Sequence, residues 1–127
     1  MKRIIFTFTL IILAANIVSA QEKEASIAVV DSALYDFGTI KEKDGLVSCT
    51  FKIKNEGDAP LDIKRIISSC NCTTMEWSKS PIAPGMTGDI IVTYDPANRP
   101  GPFTRNISIY SNGKTGSFVL TIKGTVE

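Results

Sequence analysis

The sequence predicts an all-β protein built as two packed antiparallel sheets, and three observations carry that prediction. Apolar residues recur at every second position in several stretches, the pattern of strands with one face buried. Between those stretches lie clusters of turn-forming residues: NEGDAP at 55–60, SPIAPGMTG at 80–88, DPANRPGP at 95–102 and SNGKTG at 111–116. Past the N-terminal segment, no run of ten or more residues shows helical periodicity.

The first element is of another kind. MKRIIFTFTLIILAANIVSAQ begins with Lys2 and Arg3, continues with an apolar run over 4–15 broken by Thr7 and Thr9, and closes with Val18 and Ala20 at the positions a signal peptidase inspects. This predicts a cleavable signal peptide over 1–20. The run of 12 residues falls short of the ~20 that a spanning helix requires, so no membrane span is expected after cleavage. Gln21 follows the cleavage point where a lipoprotein would have cysteine. The expected product is exported to the periplasm or the extracellular space, soluble, and not a lipoprotein.

Strands are then expected at 26–30 and 35–40. In GLVSCTFKIKN, Val47, Cys49, Phe51 and Ile53 share one face while Ser48, Thr50, Lys52 and Lys54 share the other. Less regular strands are expected at 61–68 and 73–77. Toward the C-terminus, Ile90, Val92 and Tyr94 form one apolar face, Ile107 and Ile109 another, and Phe118, Leu120 and Ile122 a third. All six prolines fall in the predicted connections, as their lack of a ladder donor requires. Seven or eight short strands, each apolar on one face, bury those faces by packing two sheets together. The expected architecture is therefore an immunoglobulin-like antiparallel β-sandwich of seven or eight strands, a single domain over 21–127.

Of 127 residues, 107 remain after a 20-residue signal is removed, enough for one core. Cleavage takes two of the 14 basic residues and none of the 13 acidic ones, which leaves a net charge of −1. A nucleic-acid binder or an electrostatic membrane binder carries a clear positive excess, so neither class is expected.

Several ordered blocks carry a resemblance: DFGTI at 36–40, FKIKNEGDAPLDI at 51–63, SSCNCT at 68–73, IAPGMTGDIIVTYDP at 82–96, RPGPFTRNISIYSN at 99–112 and LTIKGTV at 120–126. Over 34–126 the chain resembles the bacterial domain-of-unknown-function family fifteen seventy-three, which is itself similar to immunoglobulin-like domains of the hydin and abnormal-spindle type. The resemblance implies an exported immunoglobulin-like domain and no established activity. The family has glycine between the paired cysteines where this chain has Asn71, and Cys49 has no counterpart in the family pattern.

The chemistry converges on Cys70 and Cys72. The chain has no histidine, which removes Cys-His and Ser-His catalysis, and its carboxylates sit at turns and on solvent faces, so no enzyme is expected. Two thiolates on alternate residues could hold copper(I), with Met75 or Met86 as a thioether partner, but a structural zinc site lacks its four Cys or His ligands. On an extended strand the two Cα atoms stand ~6.6 Å apart, at the edge of disulfide range, so a Cys70–Cys72 bond requires a bend at Asn71. Three cysteines allow three pairings, with Cys49 buried and free as the favoured arrangement.

Trp77 is expected to pack over the core edge beside the cysteines, and Tyr110 to face outward; both are candidate contact residues. Asn71-Cys-Thr73 and Asn106-Ile-Ser108 match the N-glycosylation sequon, and Asp31-Ser32-Ala33 resembles a bacterial O-glycosylation signal. The expected function is that of a non-enzymatic accessory module contacting a protein or glycan, with no cofactor. The alternative is a thiol-redox or copper(I) protein acting through Cys70 and Cys72.

Overall fold

The computed structural model describes residues 23–127, so the predicted signal peptide lies outside the described residues. Eight strands follow one another: β1 (Ile27–Val29), β2 (Leu34–Ile40), β3 (Val47–Asn55), β4 (Ile63–Ser68), β5 (Thr73–Trp77), β6 (Thr87–Tyr94), β7 (Gly101–Ser111) and β8 (Ser117–Val126). One sheet has the order β1-β3-β6-β5 and the other β2-β8-β7-β4. A 3-10 turn at Glu42–Asp44 bridges β2 and β3.

The alternation seen in the sequence becomes the core. Cys49, Phe51 and Ile53 of β3 and Ile90, Val92 and Tyr94 of β6 face Phe103, Ile107 and Ile109 of β7 and Leu120, Ile122 and Val126 of β8. Burying each large aliphatic side chain is worth roughly 1.5–3 kcal/mol, so these four strands supply most of the driving force. Between the sheets the rings of Tyr94 and Phe103 stack with centroids 4.1 Å apart.

Three expectations are corrected. The sandwich is not wholly antiparallel: β2 pairs with β8 in parallel, Leu34 opposite Thr121 and Ile40 opposite Val126. Only residues 30–33 separate β1 from β2, and the chain bends there from one sheet to the other instead of folding back as a hairpin. Ser32 shapes that bend, its Oγ donating to Leu34 O at 3.0 Å and accepting from Leu34 N–H at 3.1 Å. Secondly, β7 starts at Gly101, so Pro102 lies inside a strand, opposite Thr125. Near a strand start its missing N–H breaks little of the ladder. Thirdly, Leu61 makes only an isolated bridge to Ile82, and β4 proper begins at Ile63.

One end of the sandwich is fastened by Asn55, a fully buried polar residue. Its Nδ2 donates to Ala59 O at 2.7 Å and Ile82 O at 2.9 Å. Its Oδ1 accepts from Ser26 N–H at 3.2 Å and Gly57 N–H at 2.9 Å. The amide is therefore satisfied on both sides, which removes the penalty of burying it. Gly57 must be glycine for a steric reason: a Cβ there would stand 2.6 Å from Ser26 N and 2.7 Å from Ala25 C.

Candidate functional site: the Cys70–Cys72 corner

At the other end of β4 and β5 the chain passes from one sheet to the other through residues 69–72. Cys70 and Cys72 are joined by a disulfide, and their Cα atoms are 5.1 Å apart, well inside the usual range. The chain shortens that distance by turning: Thr73 N–H donates to Cys70 O at 3.3 Å, closing a four-residue turn with Asn71 at its exposed tip. The bend is made without a left-handed residue, since Asn98 is the only non-glycine with positive φ among the described residues.

Further bonds hold the corner. Cys70 N–H donates to Ser68 Oγ at 3.3 Å, and Cys72 N–H donates to Cys70 Sγ at 3.1 Å. Asp95 N–H donates to Cys72 O at 2.8 Å, tying the turn to the end of β6. Cys72 is 4% exposed and packs in the core, whereas Cys70 is only partly covered. The two sulfurs therefore face different surroundings.

Arg105 of β7 reaches this corner. Its Nε–H donates to Cys72 Sγ at 3.4 Å, and its Nη1 donates to Thr104 O at 3.0 Å. No carboxylate pairs with it among the described residues. The hydroxyl of Thr73 stands 3.6 Å from the same sulfur. A half-buried, unneutralised guanidinium against a buried sulfur is the most polarised contact of the site.

The sequence reading placed the chemistry on Cys70 and Cys72 but missed Arg105. A signal was available: Phe103, Arg105, Ile107 and Ile109 occupy one face of β7, so an arginine stands in a core-facing row. Bonded to each other, Cys70 and Cys72 have no thiolate to offer a soft ion in this state. Met75 packs partly buried on β5 and Met86 is 59% exposed in the connection before β6. Among the described residues no group of three His, Cys, Asp or Glu side chains converges.

Cys49 is free and buried on β3. Burial pushes its thiol up to about 11, so it stays protonated and inert at neutral pH.

Trp77 corrects an expectation of position. It closes β5 opposite Ile90, whereas Thr73 beside the cysteines lies opposite Tyr94, so the indole packs at the far end of the strand. Lys79 Nζ sits 3.3 Å from its ring centroid. Tyr110 faces outward as expected, with the Arg65 guanidinium 4.5 Å from its ring centroid. Register extends that spot across the sheet: Arg65, Tyr110 and Ser117 form one row, and Ile67, Ser108 and Val119 the next. Of the glycosylation candidates, Asn71 and Asn106 are exposed, and Asn106 Oδ1 accepts from Thr121 Oγ1 at 3.0 Å.

The fold defines a class, the immunoglobulin-like β-sandwich, and PapD-like domains are among the structures it is similar to. The PapD-like domain 7 of human CEP192 superposes with a TM-score of 0.65 at 7% identity, over 93% of this chain and 98% of that domain. Residues 28–126 match the family described as Protein of unknown function (DUF1573), and the chain belongs to that family. A protein of unknown function from Porphyromonas gingivalis W83 gives a TM-score of 0.70 at 19% identity over 80% of this chain. The secreted serine protease VesC from Vibrio cholerae gives 0.60 at 14% identity, again over 80%. The chain spans 46% of the Porphyromonas protein and 23% of VesC. No curated protein sequence matches.

Proposed function

We infer that this is an exported, non-enzymatic accessory module that binds a protein partner through the outer face of the β2-β8-β7-β4 sheet. The observation that carries this reading is the Tyr110 ring under Arg65, flanked by Ile67 at 44% and Val119 at 49% exposure. Tyrosine and arginine dominate binding hot spots, and a flat face that mixes them with uncovered aliphatics suits another protein surface rather than a sugar held in a cleft. Leu34, 45% exposed and opposite Thr121, extends the apolar area to β2.

Export is supported by the charged start and short apolar run of residues 1–20. A bonded Cys70–Cys72 pair is the state an oxidising compartment favours. That a similar fold forms a fraction of a larger secreted protease supports an accessory role.

A photo-crosslinking residue at Ser108 in the exported protein tests the reading. One discrete protein adduct is expected, retained in Cys70→Ser with Cys72→Ser and lost in Tyr110→Ala with Val119→Asp. An adduct indifferent to the Tyr110 and Val119 changes, or lost in the folded double-serine variant, would overturn it. The N-terminus of the exported protein is expected at Gln21.

A further inference from the structure

We propose that the Cys70–Cys72 corner is a thiol–disulfide exchange site, in which Cys70 is the sulfur attacked and Cys72 the leaving thiolate, stabilised by Arg105. Three features of the corner assign these roles. Cys72 is 4% exposed and closed to a nucleophile, whereas Cys70 is only partly covered beside the exposed Asn71. Cys72 Sγ alone receives a cation, Arg105 Nε at 3.4 Å, with the Thr73 hydroxyl at 3.6 Å. Arg105 has no carboxylate partner among the described residues, so its charge is available to a sulfur anion.

The co-reactant is a thiolate, from a small monothiol or from a protein dithiol. Its sulfur attacks Cys70 Sγ, a new S–S bond forms there, and the Cys70–Cys72 bond breaks with its electron pair passing to Cys72. A leaving thiol departs faster when its thiolate is stabilised, and an adjacent arginine does this. A second thiolate then attacks the outer sulfur of the mixed disulfide. The small disulfide is released, and Cys70 departs as a thiolate next to the Cys72 N–H that already donates to it at 3.1 Å. The sum reduces one protein disulfide and oxidises two thiols. In the reverse sense, the Cys72 thiolate attacks a mixed disulfide on Cys70 and expels the incoming thiol. This chemistry uses a corner between the sheets, apart from the outer face assigned to partner binding, and does not depend on that assignment.

The test exposes the exported protein to reduced glutathione, or to a reduced thioredoxin-type dithiol, then quenches by alkylation and reads intact mass and peptide map. A glutathione adduct on Cys70, with Cys72 alkylated and Cys49 untouched, is expected. Release of the Cys72 thiol should slow about tenfold in Arg105→Gln and recover in Arg105→Lys. Reaction with the dithiol alone would identify a protein as the thiol source and still support exchange. If neither reductant opens the bond in the folded protein, or the adduct forms on Cys72, the proposal fails. It fails equally if folded Arg105→Gln reacts at the parent rate. Should Arg105→Gln not fold, the position of the adduct in the unaltered chain decides.

Discussion

Arg105 and Cys72 join the two halves of the sandwich: a side chain from an inner strand of the second sheet donates to the sulfur just ahead of β5 of the first, across 3.4 Å. The contact runs between residues 33 apart in the chain, while the disulfide beside it spans a separation of two. The long-range link is polar and the covalent link is local.

The disulfide is therefore a weak staple. Closing so short a loop removes little entropy from the unfolded chain, about 1.5 kcal/mol on the loop-length relation. Cys70→Ser with Cys72→Ser should fold with the same cooperativity and lose no more than about 2 kcal/mol in urea unfolding. Loss of the folded state would show that the bond organises the corner instead of decorating it.

Asn55 carries more of the stability. Asn55→Ala strands the part-buried Ser26 and Gly57 N–H groups and the Ala59 carbonyl, while Ile82 O keeps the Leu61 N–H, and should cost about 2–4 kcal/mol. Asn55→Asp keeps the acceptor contacts but turns a carboxylate toward Ala59 O and Ile82 O. Burial against two carbonyls raises that carboxyl above its unfolded value near 4, so the deficit should shrink as pH falls toward 4 and the protonated acid regains one donor. Thermal unfolding across pH reads both effects.

Cys49 sets an alkaline limit. Its folded pKa, about 11, lies above the reference value of 9.0, so its contribution is complete below pH 9 and is lost as pH rises toward 11. The loss stays below about 3 kcal/mol, since each pKa unit is worth roughly 1.4 kcal/mol and solvent screening reduces it. Cys49→Ala should flatten the stability profile between pH 9 and 11 relative to the parent. Equal slopes would show that other groups govern alkaline unfolding.

Tyr110 should matter to contact and not to folding. Its ring is on the outer face, so Tyr110→Ala is expected to shift stability by less than about 1 kcal/mol, the cost of the cation–aromatic contact with Arg65. Calorimetric melting checks this, and a larger loss would make the residue structural.

The inner rows of β3, β6, β7 and β8 were legible because burial on one face forces alternation, and Val47 to Ile53 or Ile90 to Tyr94 can alternate in only one way. The same rule was blind to direction, which is why the parallel seat of β2 against β8 did not emerge. Composition pointed to Cys70 and Cys72, whose rarity in a chain without histidine singles them out. Spacing did not decide their pairing, because the turn that brings them together rests on backbone bonds from Thr73 and Asp95. Arg105 escaped notice because strand periodicity marks a face as inward without saying what lies across it. Asn55 escaped for the same reason: its four partners come from three separate segments of chain.

The strand that arrives last occupies the middle of its sheet, with β2 on one side and β7 on the other. Until residues 117–126 emerge from the ribosome, β2 has no neighbour and β7 has only β4. Early chains therefore hold only the β4-β7 part of the second sheet and expose unpaired edges that invite chaperones or aggregation. Final closure is a late, long-range event that waits on β8 to join β2 to β7.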